Sequence, residues 1–373
     1  MIKVYEAAGI GHPDKIADNI ADRLLDNYLL LDATSRCAIE VLAGHNLITI
    51  SGEVDSSACF DIKNAVLDYL ESLDYDTSNI EVVNHICQQS KELSCIQKDN
   101  IIRSGDNSVV VGFATNETNS MTPVGFEIAN SIVKNLNELA FVEKDVLGLD
   151  CKCLVYINEE TNSIIKIVVC CQTKPNIKNT TAKKLVFEEV IKPILYWNAY
   201  KYKFDDIKFE FNPAGSFHLG GIDADTGLTG RKLACDNYGT YVPLGGGSFS
   251  GKDCTKMDRT GAYYARYIAK HLVTSRMVSE CLVYLSFKIG NTHIEDIQVD
   301  SKGTGFFSDE VISKIVKDCF ETSIDHIVKN LQLFKPVYFN SNIYGAFCSP
   351  NRVYEKIDNN IIKKLKEAMN GKD

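Results

Sequence analysis

The stretch from residue 245 to residue 258, Gly-Gly-Gly-Ser-Phe-Ser-Gly-Lys-Asp-Cys-Thr-Lys-Met-Asp, concentrates residue types that bind anions. Its glycines let backbone N–H groups approach a bulky anion, and Lys252 and Lys256 supply positive charge. Asp253 and Asp258 are carboxylates of the kind that hold a hard cation. The stretch predicts a polyphosphate site; a glycine-rich surface turn with solvated charges is the alternative interpretation.

A P-loop is a second alternative, because Gly246, Gly251 and Lys252 have the spacing of the first part of that motif. However, Asp253 stands where a Ser or Thr would ligate magnesium. The preceding residues 237–244 contain a Gly and a Pro and make a poor buried strand. The sequence therefore argues against a P-loop phosphotransferase.

A second chemical cluster lies near the N-terminus, where residues 11–15 read Gly-His-Pro-Asp-Lys. Pro13 suits the first position of a helix, so His12, Asp14 and Lys15 should surround a helix N-terminus, where free N–H groups and the helix dipole favour phosphate. A capped helix with a polar first turn is the alternative. The apolar residues at helical spacing that support a helix here are Ile16, Ile20, Leu24, Tyr28 and Leu31.

The elements that must position these clusters follow a repeated order, in which two strand-like runs precede a helix-like segment. Three α+β units are implied. The paired strands are expected at 37–41 and 47–54, at 153–157 and 164–171, and at 282–289 and 294–299, and the helices at 60–70, 181–195 and 308–320.

Composition narrows the class of protein. A chain of 373 residues with 45% apolar residues has room for two or three globular domains. The net charge of −9 argues against nucleic-acid binding, which needs an extended basic face. No apolar run approaches the ~20 residues of a membrane span, and the first residues lack signal-peptide architecture, so we expect a cytoplasmic protein without membrane contact. The 13 scattered cysteines favour reduced, mostly buried thiols.

Four segments together resemble the S-adenosylmethionine synthetases, also called methionine adenosyltransferases. They are Gly-His-Pro-Asp-Lys at 11–15, Gly-Phe-Ala-Thr-Asn-Glu-Thr at 112–118, Asp-Thr-Gly-Leu-Thr-Gly-Arg-Lys at 225–232, and the glycine-rich stretch at 245–258. They occur in the order found in that family. The resemblance runs from about residue 4 to about residue 347 and identifies the chain as a divergent member.

The resemblance implies an α+β fold of three pseudo-equivalent domains, each a mixed or antiparallel sheet covered by helices. We expect an N-terminal domain at 1–87, an active-site loop at 88–107, a central domain at 108–219 and a C-terminal domain at 220–373. It also implies a homodimer, or a dimer of dimers, with active sites at the subunit interface.

The implied reaction is attack of the methionine sulfur on C5′ of ATP, which releases tripolyphosphate that is then hydrolysed to pyrophosphate and phosphate. A thioether is a neutral nucleophile that needs no base. The enzyme must therefore align it and stabilise the negative charge that grows on the leaving triphosphate. This demand explains the many basic residues and metal-binding carboxylates in the motifs.

Carried over residue by residue, the resemblance assigns catalytic roles to His12, Arg231, Lys252 and Lys256. It assigns ATP contacts to Lys15, Phe217, Asp225, Lys232, Gly247 and Ser248. Methionine contacts fall to Glu53, Gln97, Asp225 and Lys256. Asp14 and Asp258 should ligate two Mg2+ ions, and Glu40 should ligate K+. Without the resemblance, Glu40 would be a solvent-facing strand residue and Phe217 a core residue.

The sequence departs from the family mainly on the methionine and ribose side. These departures leave open a shifted thioether substrate or a non-catalytic, nucleotide-binding subunit. The departures are a reduced glycine-rich segment at 104–108, Cys95 or Gln97 in place of a loop glutamine, Asn119 for an aspartate, Ser216 for an arginine, and residues 158–163 for an acidic-Gly-Lys turn.

Overall fold

The computed structural model describes residues 1–94, 96–97, 101–161, 163–198 and 207–371. Within these ranges, the strands are β1 (Ile2–Ala8), β2 (Arg36–Gly44), β3 (Leu47–Asp55), β4 (Glu81–Gln88), β5 (Ser108–Thr115), β6 (Leu147–Asn158), β7 (Ser163–Thr173), β8 (Lys208–Phe211), β9 (Gly227–Leu228), β10 (Glu280–Phe287) and β11 (Asp296–Asp300).

The helices of the same ranges are α1 (Pro13–Leu31), α2 (Ile62–Ser72), α3 (Lys91–Ser94), α4 (Val124–Val142), α5 (Asn179–Val186), α6 (Lys192–Asn198), α7 (Leu233–Asp236), α8 (Met257–Ser275), α9 (Asp309–Cys319), α10 (Ile324–Asn330) and α11 (Asn359–Asn370). A π-helical turn, Phe187–Ile191, joins α5 to α6. The predicted strand pairs and their following helices are all present, so the α+β class is confirmed.

The described strands form three sheets, which we name by their position along the chain. The N-sheet has the order β4-β3-β2-β9, the M-sheet the order β1-β6-β7-β8, and the C-sheet the order β11-β10-β5. Most neighbours are antiparallel, whereas β3 with β4 and β7 with β8 are parallel. The expectation of mixed and antiparallel sheets is therefore confirmed.

Each of the three sheets takes a strand from a distant part of the chain. β9 pairs with β2 in the N-sheet, β1 pairs with β6 in the M-sheet, and β5 pairs with β10 in the C-sheet. The three sheets are thus built across the predicted boundaries at 87, 107 and 219, and those boundaries stay a prediction about the order of domains along the sequence.

α1 begins as its sequence predicts, with Pro13 in its first turn and His12 as the N-cap. It packs on the inner face of the N-sheet, where Cys37, Ile39 and Val41 alternate with outward-facing residues of β2. The apolar face predicted for α1 is buried except at its last residue, because Leu31 is 57% exposed. Leu31 is the last residue of the helix.

The outer face of the N-sheet carries residues that point away from α1. Leu42, Leu47 and Leu228 are each more than a third exposed there. The buried apolar residues form two hydrophobic cores. One lies beneath the N- and C-sheets, and the other lies between the M-sheet and α4.

The cysteines of the described ranges are free, as expected. No helix within those ranges has both the length and the apolar character needed to cross a bilayer.

Candidate active site

The first charged cluster forms around Asp14 at the start of α1. The Asp14 carboxylate accepts the backbone N–H of Leu228 at 2.9 Å and lies 2.5 Å from the Lys232 ammonium. The guanidinium of Arg231 lies 3.6 Å from the same carboxylate. Burial acts to raise the pKa of Asp14, but the Lys232 and Leu228 hydrogen bonds outweigh it and lower that pKa. Predicted residues from two distant motifs are therefore brought together.

His12 completes this cluster as a neutral side chain. Burial, aided by the charge of Lys232, lowers the pKa of His12 to about 4. Its Nδ1 accepts the backbone N–H of Asp14 at 3.2 Å. A neutral imidazole that accepts through Nδ1 carries its proton on Nε2, so His12 offers a hydrogen-bond donor without a charge.

The second charged cluster forms around Asp258 in the first turn of α8. Its carboxylate lies 2.7 Å from the Lys252 ammonium and accepts a hydrogen bond from the Ser108 hydroxyl at 2.7 Å. Gly247 packs so closely against this carboxylate that a Cβ atom there would overlap it. Lysine, carboxylate and open backbone thus meet at one point, as the glycine-rich stretch predicted.

The neighbouring carboxylate, Asp253, has a structural role, and the idea that it could hold a cation is wrong. Asp253 is fully buried and accepts hydrogen bonds from the backbone N–H of Cys37 at 2.6 Å and from Thr255. Its oxygen also lies 2.6 Å from the Lys256 ammonium. Although burial opposes ionisation, Lys256 lowers the pKa of Asp253. Lys256 is thereby fixed at the start of α8, next to Asp258.

The two clusters are adjacent because their loops touch. A Cβ atom on Gly230, which precedes Arg231 and Lys232, would lie 2.5 Å from Cβ of Ser248. Lys252 forms a β-bridge with Ala38 of β2, and Ala38 is directly opposite Glu53 of β3. Because directly opposite residues share a face of the sheet, Lys252 and Glu53 lie in one row, separated by about two strand spacings, roughly 10 Å.

Sequence reasoning missed a row of aspartates on α1 that holds both loops. The row lies at positions 14, 18, 22 and 26, and a spacing of four places its members on one side of the helix. Each carboxylate accepts at least one backbone N–H from a residue outside α1. In row order the donors are Leu228; Gly230; Gly251; and the pair Tyr338 and Phe339. The repeated Asp at every fourth position was the available signal.

Two residues predicted to contact substrate are engaged elsewhere. Lys15 is buried, with its ammonium 2.6 Å from Asp236 and also bonded to the carbonyl of Asn342. Gln97 exchanges two hydrogen bonds of 2.9 Å with the backbone of Arg103, so its amide braces the loop in this conformation. Cys95, the other candidate for the loop position, lies outside the described residues.

The remaining predicted residues are more exposed. Asp225 is exposed and accepts the backbone N–H of Thr226, while Phe217 is half-buried, with its carbonyl bonded to the end of β7. Ser216 and Glu40 are also exposed, and Glu40 projects from the outer face of the N-sheet.

Asn119 lies far from the second charged cluster. It follows β5, whose other end supplies the Ser108 contact to Asp258, and a strand of that length spans roughly 24 Å. Within its own chain, Asn119 is therefore separated from Asp258 by about the length of β5, and its effect on a substrate pocket stays a prediction.

A lysine of the M-sheet also faces the first cluster. Lys152 of β6 lies 2.5 Å from Glu6 of β1. Burial acts to raise the pKa of Glu6, but Lys152 outweighs it and lowers that pKa. The Lys152 charge also acts to lower the pKa of His12. Strand alternation in sequence gives no hint of this ion pair, because the two residues are 146 positions apart and belong to different predicted domains.

The carboxylates present suit Mg2+ that is shared with a polyphosphate. Mg2+ is typically held by one or two carboxylates together with phosphate oxygens and water. Asp14 and Asp258 each offer one carboxylate beside a lysine, and across the described ranges no group of three or more His, Cys, Asp or Glu side chains forms a closed metal cage. The donor set fits an ion that arrives with its ligand.

Comparison with known proteins agrees with this geometry. Three family models match along the chain: the S-adenosylmethionine synthetase N-terminal domain at residues 2–98, the central domain at 101–217 and the C-terminal domain at 219–356. The chain belongs to the S-adenosylmethionine synthetase family. The resemblance seen in the motifs is therefore confirmed.

Similar proteins cover nearly the whole chain. The S-adenosylmethionine synthase of Mycoplasma genitalium is 40% identical, over 92% of this chain and 90% of the relative. That of Mycoplasmopsis pulmonis is 38% identical over 92% of each chain, and that of Petrotoga mobilis is 34% identical over 99% of each. Within this S-adenosylmethionine synthetase fold, α7 and turns precede the glycine-rich stretch, so the P-loop alternative lacks the strand it requires.

Proposed function

We propose that this enzyme makes S-adenosylmethionine from ATP and L-methionine, by attack of the methionine sulfur on C5′ of ATP. The observation that carries the proposal is the pairing of Asp14 with Lys232 and of Asp258 with Lys252 on two loops in contact. Lysines, carboxylates and open glycine backbone match the needs of a triphosphate that leaves with its metal ions.

The residues of the chain act mainly on the leaving group. Lys232, Arg231 and Lys252 lie where negative charge develops on the triphosphate, and each is already oriented by a carboxylate. His12 donates a hydrogen bond from Nε2 to a phosphate oxygen while remaining neutral at physiological pH. Charges held in place before the reaction need no reorganisation in the transition state, which makes this contribution large.

Two Mg2+ ions would be held by Asp14 and Asp258 together with the triphosphate. When bound, they neutralise charge on the phosphate oxygens. Each carboxylate has two oxygens, so it would hold a metal ion while its lysine partner, Lys232 or Lys252, stays beside it and faces the phosphates. Glu40 would contribute one ligand to K+.

Methionine would bind along the line of residues that runs across the N-sheet from Lys252 through Ala38 to Glu53. Glu53 is a partly exposed carboxylate on the outer face of the N-sheet, suited to the methionine ammonium, and Lys256 would meet the methionine carboxylate. Gln97 would add a methionine contact after release from Arg103. Asp225 and Phe217 would contact the nucleoside, with the Phe217 ring against adenine. No general base is needed, since the thioether sulfur carries no proton.

The enzyme would act as a homodimer, or a dimer of dimers, with its sites at the subunit interface. The outer face of the N-sheet supports this, because it exposes Leu42, Leu47 and Leu228 next to Glu40 and Glu53. A second copy laid on this face would bury the leucines and complete a K+ site for which Glu40 alone offers too few oxygens. The free cysteines and the requirement for ATP favour the cytoplasm.

The test is incubation of the purified chain with ATP, Mg2+, K+ and methionine, with mass detection of the products. We expect the sulfonium product together with pyrophosphate and phosphate. ADP as the product would indicate a phosphotransferase, and no product from a folded, ATP-binding chain would indicate a non-catalytic relative. Product from another thioether, but not from methionine, would indicate a shifted substrate.

A further inference from the structure

The second and third aspartates of the α1 row hold the two loops that carry the site's cations. Asp18 accepts the backbone N–H of Gly230 at 2.8 Å, immediately before Arg231 and Lys232. Asp22 accepts the backbone N–H of Gly251 at 2.9 Å, immediately before Lys252. α1 thus accepts a hydrogen bond from each loop at the residue that precedes a cation.

The two residues that donate these hydrogen bonds are glycines with a left-handed backbone conformation. Gly230 has φ of 78° and Gly251 has φ of 79°, conformations that residues with a side chain rarely adopt. A Cβ atom on Gly251 would also overlap the carbonyl of Ile39. The direction in which the following cation leaves the loop is set by this backbone conformation, so a bond that fixes the glycine also fixes the cation.

The fourth aspartate of the row, Asp26, differs from these two in the loop that it contacts. Asp26 accepts the backbone N–H groups of Tyr338 and Phe339, in a loop that carries none of the cations of the site. Asp18, Asp22 and Asp26 therefore make the same type of bond from the same helix, but only the first two bonds end beside a site cation. Asp26 serves as an internal control.

We propose that Asp18 and Asp22 are positioning residues, which orient Lys232 and Lys252 toward the triphosphate by fixing Gly230 and Gly251. The proposal rests on the function proposed above, since it takes these lysines to bind the triphosphate. Both aspartates are buried and face the loop backbone. The Asp22 carboxylate also forms a pair of hydrogen bonds to the buried Arg259, at 2.7 and 2.8 Å, so Asp18 gives the cleaner experiment.

Burial raises the pKa of Asp18 to about 7, and the nearby Lys15, Asp236 and Asp22 also act on it. A protonated Asp18 still has an oxygen that accepts the Gly230 N–H. The bond therefore requires an acceptor of the right length, and a negative charge is not essential. Asn at position 18 keeps that acceptor, whereas Ala removes it.

The experiment compares Asp18→Ala, Asp18→Asn and Asp26→Ala, with Lys232→Met as the positive control. Calorimetry measures tripolyphosphate binding in the presence of Mg2+, steady-state kinetics measure kcat and the KM for ATP and for methionine, and melting curves report stability. We expect Asp18→Ala to weaken tripolyphosphate binding and kcat/KM for ATP about tenfold, the usual effect of losing one buried hydrogen bond, and to leave the KM for methionine unchanged. Asp18→Asn should stay within about threefold of the parent.

Asp26→Ala should lower the melting temperature and leave tripolyphosphate binding and kinetics at the parent values. The proposal is overturned if Asp18→Ala behaves like Asp26→Ala, or if Asp18→Asn is as impaired as Asp18→Ala. If Asp18→Ala does not fold, Asp18→Ser replaces it, because the shorter side chain also falls short of Gly230. Normal binding in Lys232→Met would refute the proposed triphosphate role itself, whereas loss only in Lys232→Met would refute the positioning role alone.

Discussion

The triphosphate side and the methionine side of the site are built in opposite ways. On the triphosphate side, Asp14 and Asp258 are each bonded both to a lysine and to a further donor. On the other side, Asp225 and Ser216 are exposed. Charges that act on a transition state must be held before the substrate arrives, and the fold itself depends on the bonds that hold them. Exposed contacts can change without loss of the fold.

The largest effect should come from breaking the preorganised side. Lys252→Met should lower kcat about a hundredfold or more, since a lost preorganised charge at the leaving group typically costs ~3 kcal/mol. Asp258→Asn should have a comparable effect. The measurement is the rate of sulfonium formation by each purified, folded variant.

Lys317→Met is the matched control, because Lys317 forms an ion pair with Asp296 at the surface of the C-sheet. It should keep the parental rate. Near-normal activity in Lys252→Met would show that the paired lysine has no part in the reaction.

A smaller effect should follow from restoring family residues on the methionine side. Ser216→Arg should lower the KM for methionine up to about tenfold, which corresponds to one charge-assisted hydrogen bond. Asn119→Asp should act on the Asp258 cluster only if a second copy supplies that residue, since Asn119 is far from Asp258 of its own chain. Kinetics on methionine, ethionine and selenomethionine give the comparison. No gain from either change would mean that these departures are neutral, whereas impaired turnover of another thioether would reveal a retuned pocket.

The K+ response should show an effect of several-fold. If Glu40 ligates K+, replacing K+ by Na+ should slow the parent, and Glu40→Gln should lose that ion dependence. Glu81→Gln, on the edge strand of the same sheet, is the control and should respond to K+ as the parent does. An unchanged K+ response in Glu40→Gln would return Glu40 to an ordinary surface position.

The smallest effect concerns stability near the nucleoside segment. Asp150 accepts the backbone N–H of Gly221, and burial, aided by the charge of Asp225, raises the pKa of Asp150 to about 6. The folded protein thus binds this proton more tightly than the unfolded chain does. The contribution of this protonated Asp150 to the free energy of unfolding is complete below about pH 4 and is lost as the pH rises through 6.

Asp150→Asn should therefore gain melting temperature relative to the parent between pH 4.5 and pH 7, by about 2–4 °C. Thermal melts of both proteins at the two pH values measure this gain. Asp145→Asn, at an exposed position, should show no such gain. A difference between Asp150→Asn and the parent that is constant with pH would show that Asp150 does not titrate in this range.

The N-terminal cluster could be predicted from sequence because it is local. Pro13 fixed the start of α1, and the cap and first turn followed from adjacent residues. Lys15 was predicted to contact ATP, whereas in the structure its ammonium is buried against Asp236. Successive residues point about 100° apart, so Asp14 and Lys15 do not face one site together.

The bonds that join distant segments could not be predicted in this way. Asp18 and Asp22 meet glycines more than 200 positions away, and Ser108 meets a carboxylate 150 positions away. The ion pair of Lys152 with Glu6 could not be predicted either, because β1 pairs with β6, a strand far away in the sequence. Periodicity reports which face of an element is buried, but not which loop lies against it.

The most direct test of the account follows the oxygen that joins C5′ of ATP to its α-phosphorus. The enzyme is incubated with methionine and with ATP labelled with 18O at this bridging position, and the masses of the products are measured by mass spectrometry. Attack at C5′ breaks the carbon–oxygen bond, so the account predicts unlabelled S-adenosylmethionine and label in the released phosphates. Label retained on the adenosine product would contradict attack at C5′ and the role assigned to the paired lysines.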